Sequence, residues 1–75
     1  MKELVAFIAS RLVDDPDAVE VSEREEDGER IVELRVARED LGKVIGKQGR
    51  TAKAMRTLLA QAGGEESRVR LEIVE

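Results

Sequence analysis

The chain has 75 residues, 40% of them charged and 41% apolar, which suits one domain with one small core and excludes a disordered chain. It contains no Cys, His, Tyr or Trp, so disulfides, thiolate or imidazole metal sites and the usual catalytic bases and nucleophiles are excluded. The formal net charge of −4 argues, taken alone, against a nucleic-acid partner.

Residues 2–13 have an amphipathic pattern that predicts a helix. Leu4, Val5, Ile8 and Leu12 share its inner stripe. Phe7, the chain's single aromatic residue, flanks that stripe and is expected in the core, with a partner contact as the alternative. The apolar run Leu4 to Ala9 is far too short to cross a membrane, and no cleavable secretory signal is expected. Asp14-Asp15-Pro16-Asp17 breaks the helix, because proline cannot donate and restricts the residue before it.

Residues 18–24 alternate, with Val19 and Val21 on one side, and predict a half-buried strand. Glu25-Glu26-Asp27-Gly28 predicts a hairpin turn, since Asp-Gly suits positive φ. A returning strand at 29–37 turns Val32, Leu34 and Val36 inward and Glu33 and Arg35 outward. The acidic run Glu23 to Asp27 reads as a solvated hairpin tip.

Arg38-Glu39-Asp40 supplies carboxylates for capping a short helix over about 40–46. Gly42 inside that helix costs roughly 1 kcal/mol relative to Ala, which suggests that it permits close helix packing. Gly46-Lys47-Gln48-Gly49 then predicts a tight turn into a second helix, Arg50 to Ala62. That helix is expected to turn Ala52, Met55, Leu58 and Leu59 inward and Lys53, Arg56 and Thr57 outward, and to end at Gly63-Gly64. A last strand at 68–74 puts Val69, Leu71 and Ile73 on one face and Arg68, Arg70 and Glu72 on the other.

Charge is unevenly distributed along these elements. Residues 14–40 hold twelve acids and four bases, whereas residues 41–64 hold five bases and no acid. The bases are Lys43, Lys47, Arg50, Lys53 and Arg56, so the positive half coincides with the glycine turn. Glycine lets a ligand approach the backbone, and a turn opening a helix presents free N–H groups that suit phosphate.

Val44-Ile45-Gly46-Lys47-Gln48-Gly49 resembles the VIGxxG signature of the KH domain, a module that clamps four nucleotides with a GXXG loop. The longer run from Gly42 to Arg56, in so short a chain, is similar to the KhpA-like family of small bacterial single-KH proteins, and the resemblance covers nearly all of residues 1–75. It implies an α+β type II KH fold in one domain, ordered α-β-β-α-α-β. Its three-stranded mixed sheet has the strands at 29–37 and 68–74 parallel and three helices on one face. The opposite face would carry Glu20, Glu33, Arg35, Arg70 and Glu72 in a ladder of mixed sign. One departure concerns Ala52, where the family pattern usually has a large aliphatic residue. Met55 is the candidate to fill that space.

The resemblance also implies single-stranded RNA as ligand. Its contacts would be Lys43, Val44, Ile45, Gly46, Lys47, Gln48, Gly49, Arg50 and Lys53, with either Val44 or Ile45 walling the base groove and the other in the core. It implies an RNA chaperone or post-transcriptional regulator in the cytoplasm, with no cofactor, metal or enzymatic activity. The protein would work as a homodimer or with a second KH-containing protein of the KhpB (Jag) type. The Phe7 flank and the surface near Leu41 and Val44 are candidate interfaces. The competing expectation is a protein-interaction adaptor for which RNA is incidental, favoured by the acidic net charge. A Walker-type phosphate loop is excluded, because three residues rather than four separate Gly42 from Gly46 and Gln48 follows the lysine.

Overall fold

In the computed structural model, which describes residues 1–62 and 68–74, Asp27 and Gly28 both take positive φ, 52° and 77°. They close a two-residue hairpin between β1 (Glu20–Glu26) and β2 (Glu29–Arg35), as an Asp-Gly pair favours. The strands therefore extend further into the acidic run than its composition suggested, and Glu25 and Glu26 belong to β1 rather than to the turn. A single 3-10 turn at Pro16–Ala18 begins with proline and leads from helix α1 (Lys2–Leu12) into the sheet.

A second 3-10 turn, Arg38–Asp40, follows β2 and runs into α2 (Leu41–Ile45); the turn Lys47–Gly49 then leads to α3 (Arg50–Ala62). Strand β3 (Val69–Val74) returns parallel to β2, with Val32 beside Leu71 and Leu34 beside Ile73. The sheet order is β1-β2-β3, antiparallel then parallel, as a two-helix crossover permits. The expected helix end at Gly63-Gly64 lies outside the described residues.

Each helix packs on the same sheet face. Val5 and Ala9 of α1, Val44 of α2, Met55 and Leu59 of α3, and Val32, Leu34 and Leu71 of the sheet form one buried cluster, joined by Val13 and Val36. Ala52 is buried too, and Met55 belongs to the core cluster. The open face carries the mixed charges. Arg24 reaches across it, 3.4 Å from Glu33 of β2 and 3.1 Å from Glu72 of β3, and Arg70 lies 2.8 Å from Glu29. Ile31 is buried on that face too. Its lateral neighbours Arg24 and Arg70 have aliphatic stems long enough to cover it.

Helix α1 corrects one expectation. Its seam is Val5, Ala9 and then Val13, a four-residue repeat in which the small Ala9 brings the helix close to the sheet. Leu4 and Leu12 are therefore exposed, and Phe7, 59% exposed, stands in solvent with the Arg11 guanidinium 5.2 Å from its ring centre. On α3, Leu59 takes the core position and Leu58, about 100° round the helix, is 47% exposed. Gly42 corrects another: a Cβ there would meet nothing within 4 Å, so it permits no close packing.

Candidate nucleic-acid interface

The turn between α2 and α3 owes its shape to three left-handed residues in a row of four. Gly46 has φ 78°, Gln48 φ 57° and Gly49 φ 74°. Gly46 ends α2, its N–H donating to the carbonyl of Gly42 at 2.9 Å. Gly49 donates to the carbonyl of Gly46 at 3.0 Å, and Arg50 to that of Lys47. Among the described residues, the N–H groups of Lys47 and Gln48 have no backbone partner. Both residues are exposed at the tip of the turn. Two donors without a backbone partner beside a lysine, at the start of a 13-residue helix, suit an anion.

Side chains refine this tip. Arg50 donates through Nη2 to Oε1 of Gln48 at 3.2 Å, which ties the first turn of α3 to the left-handed residue. Lys53 stands one turn further along α3, exposed, with Arg56 beyond it. Among the described residues, Lys47, Lys53 and Arg56 lie within ion-pair distance of no carboxylate. The glycine turn thus keeps uncompensated positive charge in a chain that is negative overall.

The apolar pair before the turn divides. Val44 is fully buried and belongs to the core, whereas Ile45 is 39% exposed beside the glycine turn. Successive helical residues point about 100° apart, so only one of the two can face the sheet. Of the pair, Ile45 is the side chain a ligand can reach. The candidate interface near Leu41 and Val44 loses Val44 for the same reason.

Lys43 is placed differently from the other cations. Its ammonium lies 2.7 Å from Oδ2 of Asp14 and 3.4 Å from Oδ1 of Asp40. Asp40 is 2% exposed and is the single buried charged residue among those described. Its side chain does not cap α2, contrary to the capping role that its sequence position suggests. Its Oδ2 instead accepts the backbone N–H of Asp15 at 3.1 Å. Burial pushes the Asp40 carboxyl up, but the N–H groups of Asp15 and Asp14 and the Lys43 ammonium outweigh burial and hold it below its ordinary value. Asp14 first, and Asp40 second, push the Lys43 ammonium up. Nothing in the sequence announced this contact, since Asp14 and Lys43 are 29 positions apart and Asp14 read only as part of a helix break. Thr51 was also passed over, although it packs directly against Gly46.

A three-stranded mixed sheet in the order α-β-β-α-α-β, with a G-x-x-G turn between the two crossover helices, defines a type II KH domain. The chain belongs to the KH-domain family described as KhpA/KhpB, whose pattern it matches over residues 2–73. It is 59% identical to an RNA-binding protein KhpA from Caldanaerobacter subterraneus subsp. tengcongensis, over 99% of this chain and 100% of that one. It is 56% identical to an RNA-binding protein KhpA from Clostridium acetobutylicum, again over 99% and 100% of the two chains. A relative of the same name from Chlamydia trachomatis is 47% identical over 100% of this chain and 97% of its own. No described helix is long and apolar enough to cross a membrane.

Proposed function

We propose that this chain, acting as a single KH domain over residues 1–75, binds single-stranded RNA with its Gly46–Gly49 loop on the phosphate backbone. The observation that carries the reading is the tip itself. The N–H groups of Lys47 and Gln48, without a backbone partner, lie beside the Lys47 ammonium, and Arg50 is fixed one step away by its bond to Gln48. Ile45, exposed next to this tip, offers an aliphatic surface to a base. The relatives' names support the ligand class. Without an aromatic platform, affinity rests on phosphate contacts and aliphatic packing, so binding is weak and little selective for sequence. Weak, unselective binding suits an RNA chaperone or post-transcriptional regulator in the cytoplasm, with no catalytic step.

One groove of this kind is not the working unit. The residues hold one G-x-x-G turn, and the acidic half of the chain slows approach of a polyanion. Joining two grooves raises effective affinity without any new contact. The second groove comes from another copy or from a second KH-containing protein of the KhpB (Jag) type, whose KH domain falls under the same family description.

The salt dependence of RNA affinity tests the loop's footprint. Lys47, Arg50 and Lys53 are the cations placed to meet phosphates. At roughly −0.7 per phosphate neutralised on a single strand, log affinity should fall against log salt with a slope of about −2. A slope near −6 would require a footprint far wider than this loop and would contradict the assignment.

A further inference from the structure

We infer that Asp40 and Lys43 are positioning residues for the Gly46–Gly49 loop, clamping the helix that carries it to the connector after α1. The inference rests on the loop being the RNA contact. The clamp has two halves. The Asp40 carboxylate, buried at the end of the Arg38–Asp40 turn, takes the backbone N–H of Asp15 at 3.1 Å. Lys43, three residues on, spans from Asp40 at 3.4 Å to Asp14 at 2.7 Å. Both halves grip the same segment, Asp14 and Asp15, from both ends of the first turn of α2.

Helix α2 needs such a fixture. It is only five residues long, carries one fully buried side chain, Val44, and has a glycine at its second position. A helix this short has little cooperativity of its own, so its orientation depends on tertiary contacts. The loop begins where α2 ends, and the Gly46 N–H is bonded back to Gly42 within it. Any rotation of α2 therefore turns the N–H groups of Lys47 and Gln48 away from a phosphate. A buried carboxylate holding a backbone donor and an ammonium is a rigid, directional tie, stronger than neutral hydrogen bonds. The same arrangement commits Lys43 to carboxylates, which removes it from the phosphate-binding set and closes the basic surface on the α1 side.

The test uses the whole chain and two variants, Asp40→Asn and Lys43→Gln. Lys43 is partly exposed, so the second variant reports even where the first disturbs folding. Backbone order parameters of Gly46–Gly49 should drop in both variants while those of β2 stay at the rigid level. A merely structural role would loosen the loop no more than β2, and that result overturns the clamp. The affinity of Lys43→Gln for a short oligouridylate should fall by roughly three- to tenfold, as expected when a preorganised site goes slack. Its salt slope should match that of the wild type. A slope shallower by about 0.7 would make Lys43 a phosphate ligand and overturn the assignment. If the wild-type chain binds no oligouridylate, the RNA reading fails, and the order parameters still decide the clamp.

Discussion

Gly46 packs against Thr51 so closely that a Cβ on the glycine would lie 2.8 Å from the Thr51 Cβ and 2.9 Å from its backbone nitrogen. Gly49, three residues on, has nearly the same φ but nothing within 4 Å of such a Cβ. The two glycines of the motif are thus required for different reasons, Gly46 by conformation and contact, Gly49 by conformation alone. Gly49→Ala should cost about 1 kcal/mol of stability, the penalty of a left-handed alanine. Gly46→Ala must also displace backbone and should cost roughly 2 kcal/mol or more. Urea unfolding of both variants checks the ranking, and equal losses would contradict this geometry.

Gly42 is the opposite case. It sits within α2, exposed, and a Cβ would meet open space. Gly42→Ala should therefore stabilise the fold by roughly 0.5–1 kcal/mol, seen as a higher denaturation midpoint at unchanged slope. A loss of stability would mean that the site tolerates no side chain.

The element order and the loop were legible in the sequence because each rests on a local rule. Asp27-Gly28 demands its turn, Pro16 opens the 3-10 turn that follows the first helix, and Gly46 and Gly49 occupy the left-handed positions that glycine favours. What local pattern could not supply was the choice among neighbouring apolar residues. Phe7 looks more like a core residue than Ala9, yet the helix lies close to the sheet along Val5, Ala9 and Val13, and bulk at position 7 is left outside. The split between Val44 and Ile45, and that between Leu58 and Leu59, follow from helix rotation, which tertiary packing sets. The Asp14–Lys43–Asp40 contact joins segments far apart in the chain, so no window of sequence contains it.

Asp40 gives stability a defined dependence on pH. Burial alone would raise its pKa, but the N–H groups of Asp15 and Asp14 and the Lys43 ammonium lower it further than burial raises it. A depressed folded pKa means that the unfolded chain takes up this proton more readily than the folded one. The stabilisation is therefore fully present above the ordinary carboxylate value of about 4 and is lost as pH falls through the lowered folded value. Asp40→Asn should be less stable than wild type at neutral pH, with the gap narrowing below pH of about 4. A gap that stays constant from neutral to acid pH, followed by chemical denaturation, would contradict the role of the charge.

The pairing of two grooves predicts that RNA affinity depends on protein concentration. Solution mass at micromolar concentration and affinity for a short oligouridylate should rise together through the monomer–dimer range, or on addition of a KhpB-type partner. Phe7, exposed at the surface of α1, is one candidate contact. A Phe7→Ser variant should keep its folding stability to within about 1 kcal/mol, since little of the ring is buried. A strictly monomeric wild type that binds a short strand tightly, with no partner added, would remove the need for a second groove.

The central claim, that RNA is held on the Gly46–Gly49 tip, is tested most directly by Lys47→Asp combined with Gln48→Asp. Both side chains are exposed, so the change should leave the fold intact, while two carboxylates at the tip should repel the phosphates that the neighbouring N–H groups would otherwise hold. The measurement is the affinity of the folded double variant for a short single-stranded oligouridylate, beside wild type at the same salt. Loss of detectable binding with an unchanged circular dichroism spectrum and denaturation midpoint is the predicted result. Wild-type affinity in a folded double variant would contradict the claim.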